Sequence, residues 1–191
     1  MIKLVVALGN PGIEYEMTRH NIAWLLLDCF DALENKPWKE KFKGLYTELS
    51  VLGEKRYFLK PMTYMNLSGE SVLPLCQFYK IKAEEVLVVQ DEIDLSFGQI
   101  MFKKGGGLAG HNGLKSIAQH LGSSDFLRLR MGIGRPIHGS VSSWVLGKFP
   151  TEQDIELNKV IKEKYEALSL ALEKCFEKAA SKYSKKNFIQ E

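Results

Sequence analysis

Apolar residues fall into two rhythms along this chain, one nearly continuous and one recurring every three or four positions. Residues 2 to 8 are almost all apolar and run into Gly9, Asn10, Pro11 and Gly12, the pattern of a buried strand followed by a sharp turn. Ile22, Leu25, Leu26, Cys29 and Phe30 then recur at helical spacing, and Thr18 is placed to cap that helix. LYTELSVL and KRYFLKP partly alternate on either side of Gly53 and predict a hairpin. MNLSGESVLPLCQFYK predicts a helix that Pro74 either kinks or starts. EEVLVVQDEID, GQIMFKKGGG and FLRLRMGIG read as further strands, and HNGLKSIAQHL, between the last two, as a helix. From Thr151 to about Tyr183, Ile155, Val160, Ile161, Tyr165, Leu168, Leu172, Phe176 and Ala179 predict one long amphipathic helix, with residues 183–191 as a frayed tail.

Strands alternating with helices predict an α/β fold: a single domain over residues 1–191, with a twisted, mixed, largely parallel sheet flanked by helices. In open α/β sheets, ligand sites form beyond the carboxyl ends of the strands. Asn10, after the first strand, and Asp91, after VLVV, are therefore expected on one rim.

Composition narrows this little. The 191 residues are 45% hydrophobic and 26% charged, ordinary for a globular domain, and a net charge of +3 neither requires nor excludes a nucleic-acid partner. Cys29, Cys76 and Cys175 are far apart and odd in number, which reads as buried reduced thiols rather than a disulfide framework or a zinc knuckle. The chain starts on a strand-like IKLVVALG, without a signal peptide or an apolar run long enough for a membrane span, so a cytoplasmic protein is expected.

A G-x-S-x-G elbow, H-E-x-x-H and a P-loop are all missing. Gly105, Gly107 and Gly110 do satisfy G-x-G-x-x-G between a strand and a helix. In a dinucleotide site an acid should end the next strand, yet FLRLRMGIG ends at Gly134 and Arg135. A glycine-rich loop that lets another backbone come close is the plainer reading, and no cofactor or metal is called for.

The candidate chemistry lies in His20, Asp91, Asn10, Asn66 and Asn112. A neutral imidazole can take a proton from water, and a carboxylate on its other nitrogen fixes the tautomer, which makes water the nucleophile of a hydrolysis. Carboxamides supply uncharged donors and acceptors for a substrate's amides or a developing oxyanion. Each residue also has a local explanation: His20 bonding to backbone at a helix start, Asp91 capping a turn, Asn10 tolerating a turn conformation, Asn66 capping a helix. Lys103, Lys104, Lys115, Arg128, Arg130 and Arg135 gather around the glycine-rich loop, as a solvated face or a phosphate-binding surface. Tyr15, Tyr64 and Met65 offer platforms for a base or a sugar, or simply pack.

Taken together, five blocks carry a resemblance. GNPG-x-x-Y-x-x-T-R-H-N from Gly9 to Asn21, KPMTYMNLSGESV, VVQDEIDLSFG, FKKGGG-x-x-GHNGLKSI and FLRLRMGIGRP, in this order and spacing, resemble the bacterial-type peptidyl-tRNA hydrolases over about residues 2 to 150. The resemblance implies a cofactor-free, monomeric enzyme that cleaves the ester between a peptide and the terminal ribose of tRNA, so the implied partner is peptidyl-tRNA. It implies His20 as general base, Asp91 as its partner and Asn10 near the ester. Asn66 and Asn112 would hold the peptide and terminal adenosine, Tyr15 and Tyr64 would contact tRNA, Met65 would form a wall, and Lys103 and Arg130 would meet tRNA phosphates. The chain departs from the commoner GGGHGGHNG loop at Leu108 and Ala109, has KPMTYMN for RPTTFMN, and carries Gln90 before the aspartate. In a related group of plant organellar splicing factors the fold serves binding without hydrolysis, which leaves a non-catalytic RNA-binding protein as the alternative.

Overall fold

Strand β1 (Leu4–Ala7) occupies the middle of the sheet because its continuous apolar run is covered on both faces. Leu4 and Val6 join one apolar cluster and Val5 and Ala7 the other, as the two-residue side-chain period of a strand requires. The computed structural model describes residues 1–151, 154–184 and 186. The remaining elements are α1 (Ile22–Asp28), β2 (Lys39–Lys41), β3 (Gly44–Val51), β4 (Glu54–Pro61), α2 (Gly69–Tyr79), β5 (Val86–Glu92), β6 (Ile100–Lys104), α3 (Asn112–Leu121), β7 (Leu127–Gly132), α4 (Val141–Val145), α5 (Asp154–Glu173) and α6 (Phe176–Tyr183). One cluster packs α1, α5 and α6 on the sheet, and the other packs α2 and α3.

The seven strands run in the order β2-β3-β4-β1-β5-β7-β6. Pairs β4–β1, β1–β5 and β5–β7 are parallel, whereas β2–β3, β3–β4 and β6–β7 are antiparallel. The sheet is therefore mixed, with a parallel centre, rather than largely parallel. The physical reason at one edge is chain length. A parallel return needs a crossover of roughly a dozen residues or more, and residues 93–99 are too few, so β6 turns back antiparallel.

Three further expectations change. The long terminal helix is two helices, because Cys175 is extended (φ −174°, ψ 163°) and its Sγ accepts from the Lys178 N–H, starting α6 afresh. The break lets α6 fold against β6, where Phe176 meets Phe102 edge-on with ring centroids 5.4 Å apart. Tyr183 is accordingly buried rather than frayed, and Ser184 Oγ accepts from the Phe102 N–H at 3.1 Å. The tail beyond Lys186 and the Ile155 side chain lie outside the described residues. Of the cysteines only Cys76 is buried, and burial pushes its thiol up to about 12. Pro74 lies inside α2 rather than at its start. Short strand β2 and helix α4, whose Ser140 cap accepts from the Ser143 N–H, have no periodic signal in the sequence. Among the described residues no helix is long and apolar enough to cross a membrane.

Lys164 follows the apolar spacing of α5, three residues after Ile161 and four before Leu168, and is wholly buried with its Nζ unpartnered among the described residues. Burial lowers its amine to about 7. Below that pH both folded and unfolded chains carry the proton and the fold bears the full penalty. Between about 7 and its ordinary value the unfolded chain binds more protons, so stability rises with pH. Replacing Lys164 with Met should stabilise the fold by roughly 1–4 kcal/mol, as when buried ionic groups give way to apolar ones. It should also flatten that part of the melting-temperature profile, which calorimetry across pH 7 to 10 checks.

Candidate active site

A cleft of about 620 Å³ opens at the carboxyl ends of β1 and β5. Asn10 follows β1, Asp91 is the next-to-last residue of the wholly buried β5, and both line it, so the two strand ends share one rim. The loop after β1 is packed tightly: a side chain at Gly9 would strike the Trp24 ring at 2.6 Å, and the indole Nε1 donates to the Ala7 carbonyl at 3.0 Å. His20 lies in the 3-10 turn Arg19–Asn21 that leads into α1. Thr18 does not cap that turn with its side chain; its hydroxyl donates to the Tyr15 carbonyl at 2.8 Å.

Asp91 Oδ1 accepts from two imidazoles, His20 Nδ1 at 2.7 Å and His111 Nε2 at 3.0 Å. Burial alone would raise the Asp91 carboxyl, but the two histidines outweigh it and hold it well below the usual carboxylate range. Burial likewise pulls His20 down, while the charge of Asp91 and its hydrogen bond prevail and leave the imidazole raised. With Nδ1–H committed to Asp91, the basic lone pair of neutral His20 is on Nε2. His20, Asp91 and His111 could also hold a metal ion, since their ligand atoms lie within 4.8 Å of one another.

Asn10 is clamped at three points. Its backbone N–H donates to Asn21 Oδ1 and its carbonyl accepts from Asn21 Nδ2, each at 2.9 Å, while its own Oδ1 accepts from the Met65 N–H at 2.8 Å. Asn10 has no positive φ, so turn tolerance does not explain it. The side-chain Nδ2 has no partner among the described residues, which leaves a fixed donor on the cleft wall. Tyr15, Tyr64, Met65, Asn66 and Asn112 line the same cleft, and Asn66 makes no cap bond to α2.

The basic residues are not brought together in this way. Arg128 is buried, with Nη1 donating to the Gly107 carbonyl at 2.9 Å and Nη2 to that of Gly105. The glycine-rich loop thus turns carbonyls toward an arginine rather than N–H groups toward a phosphate, which removes both Arg128 from any phosphate surface and the dinucleotide reading. Arg130, on β7, donates from Nε to Glu92 Oε2 at 2.7 Å, and Arg135 pairs with Asp94. Lys103 lies on β6, opposite Arg128 and away from the cleft wall. Ala109 takes the left-handed φ of +49° where the commoner loop has glycine.

The sequence profile described as "Peptidyl-tRNA hydrolase" matches residues 4–191. The chain belongs to the peptidyl-tRNA hydrolase family. It is 45% identical to the peptidyl-tRNA hydrolase of Pelobacter propionicus, covering 98% of this chain and 97% of that protein. It is 40% identical to the one from Listeria welshimeri, covering 96% and 100%. The crystal structure of peptidyl-tRNA hydrolase from Acinetobacter baumannii superposes with a TM-score of 0.86 at 37% identity, covering 96% of each chain. The family consists of hydrolases that cleave peptidyl-tRNA and release tRNA.

Within this hydrolase fold three residues do work that sequence reasoning did not assign. His111 shares the Asp91 oxygen with His20, and its only hint was its place beside Asn112. Asn21 holds Asn10. Arg19 stacks its guanidinium 3.8 Å over Trp144 and donates to the Lys148 carbonyl at 3.0 Å, which ties α4 and the segment after it to the cleft. Adjacency in T-R-H-N was the signal for both neighbours of His20, but their partners are distant in sequence.

Two outcomes follow from this geometry. In Asn21→Ala the clamp on Asn10 opens, and kcat/KM for N-acetyl-aminoacyl-tRNA should fall by about tenfold or more, the equivalent of roughly 1–3 kcal/mol for lost buried hydrogen bonds, with an unchanged circular dichroism spectrum. In His111→Ala, Asp91 loses its second donor and holds the His20 proton more tightly. The acid limb of the kcat/KM profile should then move to higher pH, and an unmoved limb would show that the two imidazoles are not coupled.

Proposed function

We propose that this chain hydrolyses the ester between a peptide and the terminal ribose of tRNA, with water activated by His20. The observation that carries this reading is the 2.7 Å hydrogen bond between His20 Nδ1 and the buried Asp91 carboxylate, both lining a cleft large enough for the ester and its neighbours. As water attacks the ester carbonyl, His20 Nε2 takes its proton and Asp91 stabilises the imidazolium. Asn10 Nδ2 meets the developing negative charge or the peptide carbonyl beside it. Collapse of the tetrahedral intermediate expels the ribose oxygen, which takes the proton back from His20. No side-chain nucleophile enters the scheme.

Asn66 and Asn112 bind the peptide and terminal adenosine side, with Tyr15, Tyr64 and Met65 as platforms and walls. Lys103 and Arg130 meet tRNA phosphates outside the cleft, Arg130 from its pair with Glu92. The protein works as a single domain over residues 1–191, as a monomer in the cytoplasm, where charged tRNA is found.

Release of labelled N-acetyl-aminoacid from N-acetyl-aminoacyl-tRNA tests this, with unblocked aminoacyl-tRNA as control. Wild type should cleave the blocked substrate, and His20→Ala should lose on the order of 10² to 10⁴ in kcat while still binding tRNA. Activity needs the neutral imidazole, and Asp91 raises its pKa. The acid limb should therefore fall with a midpoint above the ordinary histidine value and move to lower pH in Asp91→Asn. A wild-type protein that binds tRNA but cleaves neither substrate would replace the enzyme by the RNA-binding alternative.

A further inference from the structure

A second cavity, of about 460 Å³, lies at the opposite end of the sheet from the catalytic cleft, among the amino-terminal ends of β1 and β7, the β3–β4 turn and the junction of α5 with α6. Ile2, Leu127, Leu172 and Phe176 give it an apolar wall, and Arg56 of β4 stands in that wall. Arg56 is only 3% exposed. Among the described residues it has no ion-pair partner, its one side-chain hydrogen bond runs from Nη1 to the Lys55 carbonyl at 3.3 Å, and its Nε is buried without an acceptor.

The Nε–Nη2 edge of a guanidinium is one that binds a carboxylate through two parallel hydrogen bonds, and in Arg56 no acceptor among the described residues meets that edge. An arginine stays charged in a protein, and a buried charge without a counter-ion is costly. The other charges around the cavity, Glu54, Glu84, Glu173 and Glu177 against Lys104, Lys174 and the Met1 ammonium, are exposed at its rim and none pairs with Arg56. Their excess of acids disfavours a second negative charge on an occupant.

We propose that this cavity binds a small monocarboxylate with a short apolar tail, the carboxylate on Arg56 and the tail against Leu127, Leu172 and Phe176. The inference uses no residue of the catalytic cleft and does not rest on the reading of that cleft. Hexanoate is a suitable probe, with hexanol keeping the tail without the charge and acetate the charge without the tail. Calorimetric titration of the full chain should give one hexanoate per chain, with hexanol and acetate at least roughly tenfold weaker. Arg56→Met, an apolar side chain in an apolar wall, and Leu172→Trp, which fills the cavity, should each weaken hexanoate by a similar factor. Activity on N-acetyl-aminoacyl-tRNA should stay at the wild-type level in both. Absence of saturable binding at millimolar hexanoate, equal binding of hexanol, or undiminished binding in both variants would overturn the proposal.

Discussion

The structure of the site depends on one buried carboxylate oxygen. Asp91 is the next-to-last residue of a strand whose residues are all buried, and a charge in that position is tolerable only with donors aimed at it. Two imidazoles from different segments supply them at 2.7 and 3.0 Å. The same bonds that make the carboxylate tolerable settle which nitrogen of His20 carries a proton, which is the property a general base needs. Stability of the buried charge and readiness for chemistry are one interaction seen from two sides.

Around that oxygen the first loop acts as a clamp. Asn21 grips the backbone of Asn10 on both sides, the Met65 N–H donates to its side-chain oxygen, and Arg19 reaches across to the Lys148 carbonyl after α4. Three consecutive residues, Arg19, His20 and Asn21, thereby do different things: one holds the cleft wall, one faces the reaction, one fixes a carboxamide. The tight 3-10 turn makes this division possible, because successive side chains leave it in different directions.

Arginine burial gives two contrasting outcomes elsewhere in the molecule. Arg128 directs Nη1 and Nη2 to carbonyls of the glycine-rich loop, although its Nε is buried without an acceptor among the described residues. Arg56 has no such loop beside it and keeps an edge without an acceptor among the described residues. Lys164 is another buried cation, and it meets the same problem by a lowered affinity for its proton.

Much of the fold was legible in the sequence because its signals are local. The apolar run of β1, the alternation around Gly53 and the helical spacing in α1 and α5 each follow from backbone periodicity, and the strand-end rule brought Asn10 and Asp91 to one rim. His20, Asp91 and the carboxamides could be named as candidates for the same reason: each residue type carries its chemistry with it. What the tertiary structure alone decided involves partners far apart in the chain. That His111 shares the Asp91 oxygen, that Asn21 clamps Asn10, that Arg128 is buried and that the last helix breaks at Cys175 to reach Phe102 all depend on which surfaces meet. Periodicity reports which face of an element is covered. It carries no information about what covers it, and hydrogen-bond geometry over such separations exists only once the sheet has brought the segments together.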